Sequence, residues 1–190
     1  MNRKFISLVI SFAIIIITIT PMVSAEKEVN VHLSNQGITN EQLAEMVGNG
    51  EIPQNVIRLS LNDNFISDLT PLGKLTKLRH LSLIGCQISD IAPLSNLINL
   101  EVLHLGSNQI ESLIPLQNLI NLRTLVLIDN QINDITPLMN LTNLNSLGLD
   151  WNLISDVWLC TTRVELSVIK PEFNNIYNQT NYNIVHKFRL

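Results

Sequence analysis

Hydrophobic residues recur with a period of 22 residues through the middle of the chain, and this recurrence is its most informative feature. The shared pattern is L-x-x-L-x-x-L-x-L-x-x-N-x-I-x-x-I-x-P-L-x-x. An incomplete copy, four gapless copies and a decaying copy occupy residues 56–74, 75–96, 97–118, 119–140, 141–162 and 163–176. A period of this length indicates a solenoid, in which each copy forms one coil that stacks on the next.

Each copy encodes a short strand, a polar turn and a return segment. Leu103 and Leu105 alternate with period two, which predicts a strand with both leucines inward. The asparagine that follows can satisfy backbone groups in its own and adjacent coils. Pro115 and its equivalents favour a 3₁₀ or extended return, because proline fixes φ and lacks an N–H donor.

The fold class predicted from these elements is an α/β solenoid with short parallel strands on the concave face and a 3₁₀ or extended convex side. One copy cannot bury enough apolar surface to fold alone, so neighbouring copies must share their leucine columns and strand hydrogen bonds. The interior positions predicted for the copy at 97–118 are Leu97, Leu100, Leu103, Leu105, Ile110, Leu113 and Leu116.

The regions that flank the repeats read as covers for the solenoid ends. Thr39 to Gln42 form a capping box that opens a helix, and Val29, Val31 and Leu33 alternate as a short edge strand. Pro171 falls in the strand column of the last copy, where it would block further pairing. We predict a signal peptide at 1–25, a small N-terminal α/β cap at 26–55, five repeats plus one degenerate copy at 56–176 and a tail at 177–190.

The N-terminus has the features of a secretory signal peptide. Arg3 and Lys4 precede an apolar run from Phe5 to Ile19, and Val23-Ser24-Ala25 is a small-residue cleavage pattern. The run is shorter than the ~20 residues of a spanning helix. We therefore expect a secreted or cell-surface protein, which would associate with a membrane only if the signal is not cleaved.

Charge and cysteine content restrict the partners further. Removing Arg3 and Lys4 from 12 basic residues leaves 10 against 16 acids, a mature net charge of about −6. This charge argues against nucleic acid or anionic lipid as a partner. Cys86 falls in the asparagine column and Cys160 in a core leucine column about three coils away, so we expect two buried free thiols rather than a disulfide.

The repeat resembles the internalin type of bacterial leucine-rich repeat. The resemblance is carried by Ile88-Ser89-Asp90-Ile91-Ala92-Pro93-Leu94 and by Ile132-Asn133-Asp134-Ile135-Thr136-Pro137-Leu138, and it covers about residues 30–176. It implies a right-handed solenoid that binds a protein through its concave face. The same repeat type occurs in intracellular phosphatase-regulatory proteins, so an intracellular regulatory module is one alternative, and a structural or adhesive surface component that binds glycan or matrix is another.

Candidate ligand-binding residues flank the inward leucines and therefore face the concave side. Several of them are apolar where the fold does not require it, as in a protein-binding patch. Strand propensity alone explains the same valines and isoleucines equally simply. The candidate residues are His80, Ser82, Ile84, Val102, His104, Thr124, Val126, Ile128, Asp150 and Trp151.

The remaining polar residues offer no chemistry beyond binding. His80 and His104 lack a third ligand with convincing spacing, so no metal site is expected. Asp68, Asp90, Asp134 and Asp156 repeat with the period, which indicates a structural role on the convex turn. The chain has no HExxH, GxSxG, P-loop or GxGxxG motif. We expect no catalysis and no cofactor, and a monomer that binds a protein of unknown identity.

Overall fold

The computed structural model describes residues 28–154, which form a solenoid with one open sheet of six parallel strands. The order of the strands in the sheet follows their order in the chain. The strands are β1 (Val29–His32), β2 (Val56–Ser60), β3 (His80–Ser82), β4 (Val102–His104), β5 (Thr124–Val126) and β6 (Ser146–Gly148). One α-helix, α1 (Asn40–Gly48), joins β1 to β2. The predicted α/β solenoid with parallel strands is confirmed.

The core consists of stacked columns of leucine and isoleucine. Leu59, Leu81, Leu103 and Leu125 are paired in register from β2 to β5, and each is no more than 2 % exposed. All seven interior positions predicted for the copy at 97–118 are at most 1 % exposed. Neighbouring coils therefore bury each other's leucines, as the stacking argument requires.

The coils are joined along one turn by an asparagine ladder. Asn130 Oδ1 accepts a hydrogen bond from Ile110 N at 3.0 Å, while Asn130 Nδ2 donates to Leu105 O at 2.9 Å and to Leu127 O at 3.1 Å. Asn108 and Asn152 make the equivalent bonds one coil away on either side. The predicted role of this column is confirmed, and each amide connects two coils.

Cys86 occupies one position in this ladder. It is a buried free thiol, as predicted, and its Sγ lies 3.5 Å from Leu61 O. Burial raises the pKa of the Cys86 thiol, which keeps it protonated and unreactive. A thiol is a weak donor and a weak acceptor, so the ladder is weakest at this coil.

The return segments are 3₁₀ helices that begin next to a proline. They span Thr70–Lys74, Ala92–Asn96, Ile114–Leu116 and Thr136–Asn140. The acidic column precedes three of them. Asp68, Asp90 and Asp134 each accept a hydrogen bond from the backbone N–H two residues on, at 2.8–2.9 Å. The predicted structural role of these acids is confirmed, because they form the turns that start the helices.

The N-terminal segment adds a strand and a helix to the first coil. β1 pairs with β2, and Val31 is buried in the core that the strands share. Thr39 and Gln42 form the predicted capping box at the start of α1, in which Thr39 N donates to Gln42 Oε1 at 2.9 Å. Leu43 and Val47 are buried on one face of the helix.

Several predicted features lie outside the described residues. They are the signal peptide at 1–25, Asp156, Cys160, the degenerate copy at 163–176 and the tail at 177–190. Between residues 28 and 154, the structure has no helix that combines the length and the apolar character needed to span a membrane.

We expect Cys86→Asn to stabilise the protein. The N–H groups of Ile88, Ile110 and Ile132 each donate to an asparagine oxygen in the next coil. The equivalent residue Ile66 faces Cys86 instead. An asparagine there would add hydrogen bonds worth about 1 kcal/mol of unfolding free energy. Denaturant unfolding of the full chain measures the change. The reciprocal variant Asn130→Cys should lose about 2 kcal/mol. Equal stability of Cys86→Asn and wild type would show that the ladder does not limit stability at this coil.

Candidate functional site

The outward side chains of the sheet form three columns, which we call the concave face because leucine-type solenoids curve towards their strands. The first column runs from Arg58 through His80, Val102 and Thr124 to Ser146, following the strand register. The second contains Ser60, Ser82, His104, Val126 and Gly148. The third lies just beyond the strands and contains Asn62, Ile84, Gly106, Ile128 and Asp150, aligned by the next row of backbone hydrogen bonds. Nine of the ten predicted residues lie in these columns, and Trp151 adjoins the third.

Val126 and Ile128 form an apolar cluster in the middle of this face. A Cβ placed on Gly148 would lie 3.1 Å from Ile128 Cγ1 and 3.7 Å from Val126 Cγ1, so both side chains extend over that glycine. Gly106 lies on the other side, where a Cβ would approach Ile128 O to 3.3 Å. Because neither glycine has a side chain, Val126 and Ile128 project above the surface on both sides of the cluster.

The apolar residues of the concave face are half-buried rather than fully exposed. Ile84, Val102, Val126 and Ile128 all have intermediate exposure. Strands in a sheet are only about 4.8 Å apart, so side chains in adjacent strands cover each other's flanks. What this face offers a ligand is therefore the tips of these side chains.

The N-terminal end of the concave face is polar and internally hydrogen-bonded. Arg58 Nη1 lies 3.1 Å from His80 Nδ1, and Asn62 Oδ1 accepts hydrogen bonds from Ser82 Oγ at 2.7 Å and from Ile84 N at 2.9 Å. Burial, followed by the nearby Arg58 charge, lowers the pKa of His80. These contacts hold the side chains in place before any ligand arrives.

His104 does not join His80 in a metal site. It pairs in register with Ser82 and so belongs to a different column from His80. Burial lowers the pKa of His104 and favours its neutral form. Across residues 28–154, no three histidine, cysteine, aspartate or glutamate side chains come together in a way that would hold a metal ion.

Trp151 belongs to a column of residues in the left-handed backbone conformation, and the sequence pattern did not lead us to predict this column. The turn after each strand places one residue at a positive φ, between 54° and 66°. These residues are Asn35, Asp63, Gly85, Ser107, Asp129 and Trp151. Asparagine, aspartate and glycine adopt this conformation readily, but a bulky side chain is strained there. Trp151 is nevertheless 52 % exposed, beside Asp150 at the margin of the concave face. The mixture of asparagine, aspartate and glycine in this column was the available signal.

Comparisons with known proteins identify the repeats. A sequence-family profile described as Leucine Rich repeats (2 copies) matches residues 54–96, 77–118 and 98–138. The crystal structure of internalin F from Listeria monocytogenes is 37 % identical over 63 % of this chain, with a TM-score of 0.56. That of internalin C2 from the same species is 32 % identical and covers 70 % of this chain and 76 % of its own, with a TM-score of 0.42. The chain belongs to the internalin-type leucine-rich-repeat proteins.

One further comparison shows the fold alone, and another found no match. The leucine-rich-repeat ectodomain of the receptor kinase SOBIR1 from Arabidopsis thaliana shares the fold at 19 % identity and a TM-score of 0.53. No curated protein sequence matches the chain. The internalin-type chain spans about a third, 34 %, of the length of the internalin F structure.

The family membership indicates a class of function. Leucine-rich-repeat domains commonly mediate protein–protein interactions and are typically binding modules without enzymatic activity. The described geometry suits this class, because it presents a preformed sheet surface with an apolar centre and polar ends.

We expect the strain at Trp151 to be measurable as a difference between two variants. Trp151→Asn and Trp151→Ala both remove the indole, but only asparagine tolerates φ near 59°. The asparagine variant should be more stable by about 1 kcal/mol in denaturant unfolding. The same pair of substitutions at exposed Gln131, whose φ is not positive, should show no such advantage. If the two Trp151 variants are equally stable, the left-handed backbone conformation carries no cost at this position.

Proposed function

We propose that this protein is exported and binds a protein ligand through its concave face, as a monomer and without catalysis. The observation that carries the proposal is the apolar cluster of Val126 and Ile128. Both positions point away from the core, and the equivalent positions in earlier coils hold Ser60, Ser82 and Asn62. The fold therefore does not require apolar residues there, and a binding role accounts for them.

The surroundings of the cluster favour a protein over a glycan. Polar and titratable side chains border it at both ends, in His80, Ser82 and His104 on one side and Asp150 on the other. An apolar centre with a polar rim is the usual arrangement of a protein interface. Glycan sites usually gather exposed aromatic residues, whereas Trp151 is the one aromatic residue on the described concave face.

An extracellular location is part of the proposal. It is supported by the signal-peptide pattern at 1–25 and by the internalin-like neighbours, which are typically surface or secreted proteins. An intracellular regulatory module would need a cytoplasmic location, so processing at Ala25 during export would exclude it. N-terminal sequencing of protein recovered from an exporting host tests this point.

We expect Val126→Ser combined with Ile128→Asn to weaken ligand binding and leave folding intact. Both replacements are residues that the same columns already hold, so the melting temperature should change little. Proteins captured by the full chain from host-surface and bacterial-surface extracts would be identified, purified and titrated against both forms. Loss of the cluster should weaken binding at least about tenfold.

The control for this experiment removes two apolar side chains from another surface. Ile98→Thr with Ile120→Thr replaces two exposed isoleucines, 56 % and 54 % exposed, with the residue found in the same column at Thr76 and Thr142. This variant should retain the concave-face ligand. Equal binding by wild type and the Val126/Ile128 variant would reject the concave face as the site.

A further inference from the structure

A second asparagine ladder runs along the edge of the solenoid that precedes the strands. Asn99 Nδ2 donates to Thr76 O at 2.9 Å, Asn121 Nδ2 to Ile98 O at 2.8 Å and Asn143 Nδ2 to Ile120 O at 2.9 Å. These bonds fix the four segments just before β3, β4, β5 and β6 against one another. The side chains of Ile98 and Ile120 therefore occupy equivalent positions on adjacent coils.

Ile98 and Ile120 are apolar where the fold accepts a polar residue. The same column holds Thr76 in the preceding coil and Thr142 in the following one. Both isoleucines are more than half exposed, at 56 % and 54 %. Two adjacent isoleucines thus project into solvent between two threonines. The described structure gives them no packing role.

A groove of about 370 Å³ lies on the same edge. Its lining residues are Ile57, Lys77, Arg79, Asn99, Glu101 and Asn121. Asn99 and Asn121 directly follow Ile98 and Ile120, so the isoleucine pair adjoins the residues that line the groove. We call the groove and the isoleucine pair together the lateral edge. It contains the column Ile57, Arg79, Glu101 and Arg123, together with Lys77, Ile98 and Ile120.

The charge of the lateral edge is opposite to that of the rest of the described surface. Residues 28–154 contain 12 acids and 5 bases. Three of the bases, Lys77, Arg79 and Arg123, lie on this edge with one acid, Glu101. The remainder therefore carries 11 acids and two bases, Arg58 and Lys74. The lateral edge thus carries a net charge of +2, and the other described residues carry a net charge of −9.

Ion pairs link Arg79 to Glu101 and, through Glu28, to Arg58 on the neighbouring concave face. Arg79 Nε donates to Glu101 Oε1 at 2.8 Å, and Glu28 lies within 4.0 Å of both Arg58 and Arg79. The Arg79 hydrogen bond, with further help from the charge of Arg123, lowers the pKa of Glu101. Glu101 thus pairs with Arg79 and orients it, while Arg123 and Lys77 are exposed at the edge.

From this charge segregation and the isoleucine pair, we propose that the lateral edge is a second interaction surface, which binds an acidic protein segment with two apolar anchors. Carboxylates of the segment pair with Lys77, Arg79 and Arg123, and its apolar side chains pack on Ile98 and Ile120. Charge complementarity selects the acidic partner. The interspersed Glu101 and the exposed isoleucines distinguish the edge from the uniformly basic surfaces that suit nucleic acid.

The probe is a short peptide, Glu-Glu-Leu-Ser-Leu-Glu-Glu, titrated into the isotope-labelled full chain and followed by backbone-amide NMR. Leucines two positions apart in an extended peptide lie on one side, about 6.6 Å apart, so both can reach side chains on adjacent coils, which are about 4.8 Å apart. Saturable shifts should appear at Lys77, Asn99, Glu101 and Asn121. They should weaken with added salt and should not appear when serine replaces both leucines or lysine replaces the glutamates.

Variants taken from the protein's own columns separate the apolar and ionic contributions. Ile98→Thr with Ile120→Thr, and Lys77→Asn with Arg123→Asn, introduce residues that equivalent coils already hold at 76, 142, 99 and 145. Each pair should weaken peptide binding about tenfold. The concave-face variant Val126→Ser with Ile128→Asn should bind the peptide normally, so the test does not depend on the function proposed above.

Three results would overturn the proposal. The first is the absence of peptide shifts, or shifts that all the edge variants retain. The second is edge-dependent binding of a single-stranded oligonucleotide, or of vesicles with equal parts phosphatidylcholine and phosphatidylserine, in place of the peptide. The third is concentration-dependent self-association that the isoleucine variant abolishes, because the acidic partner surface would then be a second copy of this chain.

Discussion

Hydrogen bonds from asparagine amides to the backbone of neighbouring coils are the interaction on which the rest of this structure depends. The turn after each strand leaves N–H and C=O groups that no strand partner satisfies, and burying each of them unpaired would cost about 1–3 kcal/mol. Asn108, Asn130 and Asn152 resolve this by bonding in two directions at once. The coils can then stack closely enough to share their leucine columns.

Because the ladder and the leucines fix the coils, the outward positions are free to vary. Column by column, the chain holds serine, histidine, valine and glycine at equivalent sites of the sheet, and threonine or isoleucine on the pre-strand edge. The backbone is the same in each case. Folding therefore does not dictate the differences between coils in these columns, and the proposed binding surfaces account for them. The apolar cluster of the concave face and the isoleucine pair of the lateral edge were both recognised by such differences.

The sequence was sufficient for the features that repeat by residue identity. The leucine columns, the asparagine ladder and the proline-led returns each show the same residue type in nearly every copy, so their physical roles could be predicted. The left-handed column could not be predicted as readily, because Ser107 and Trp151 interrupt its preference for asparagine, aspartate and glycine. The pairing of Arg79 with Glu101 was also missed, because residues 22 apart meet only once the coils are stacked. The partial burial of Val126 and Ile128 depends on neighbouring strands and has no local signal.

The buried thiol at Cys86 has a consequence for how the solenoid comes apart. In a linear array, each interface holds together with its own coupling energy, and opening begins where that coupling is smallest. With sulfur in place of an amide, the coupling is reduced between the coil at 56–74 and the coil that carries Cys86. The cap and first coil then form one cooperative unit and the later coils another. Amide hydrogen exchange would show different opening free energies on the two sides of this boundary. The concave cluster and the isoleucine pair both lie in the second unit.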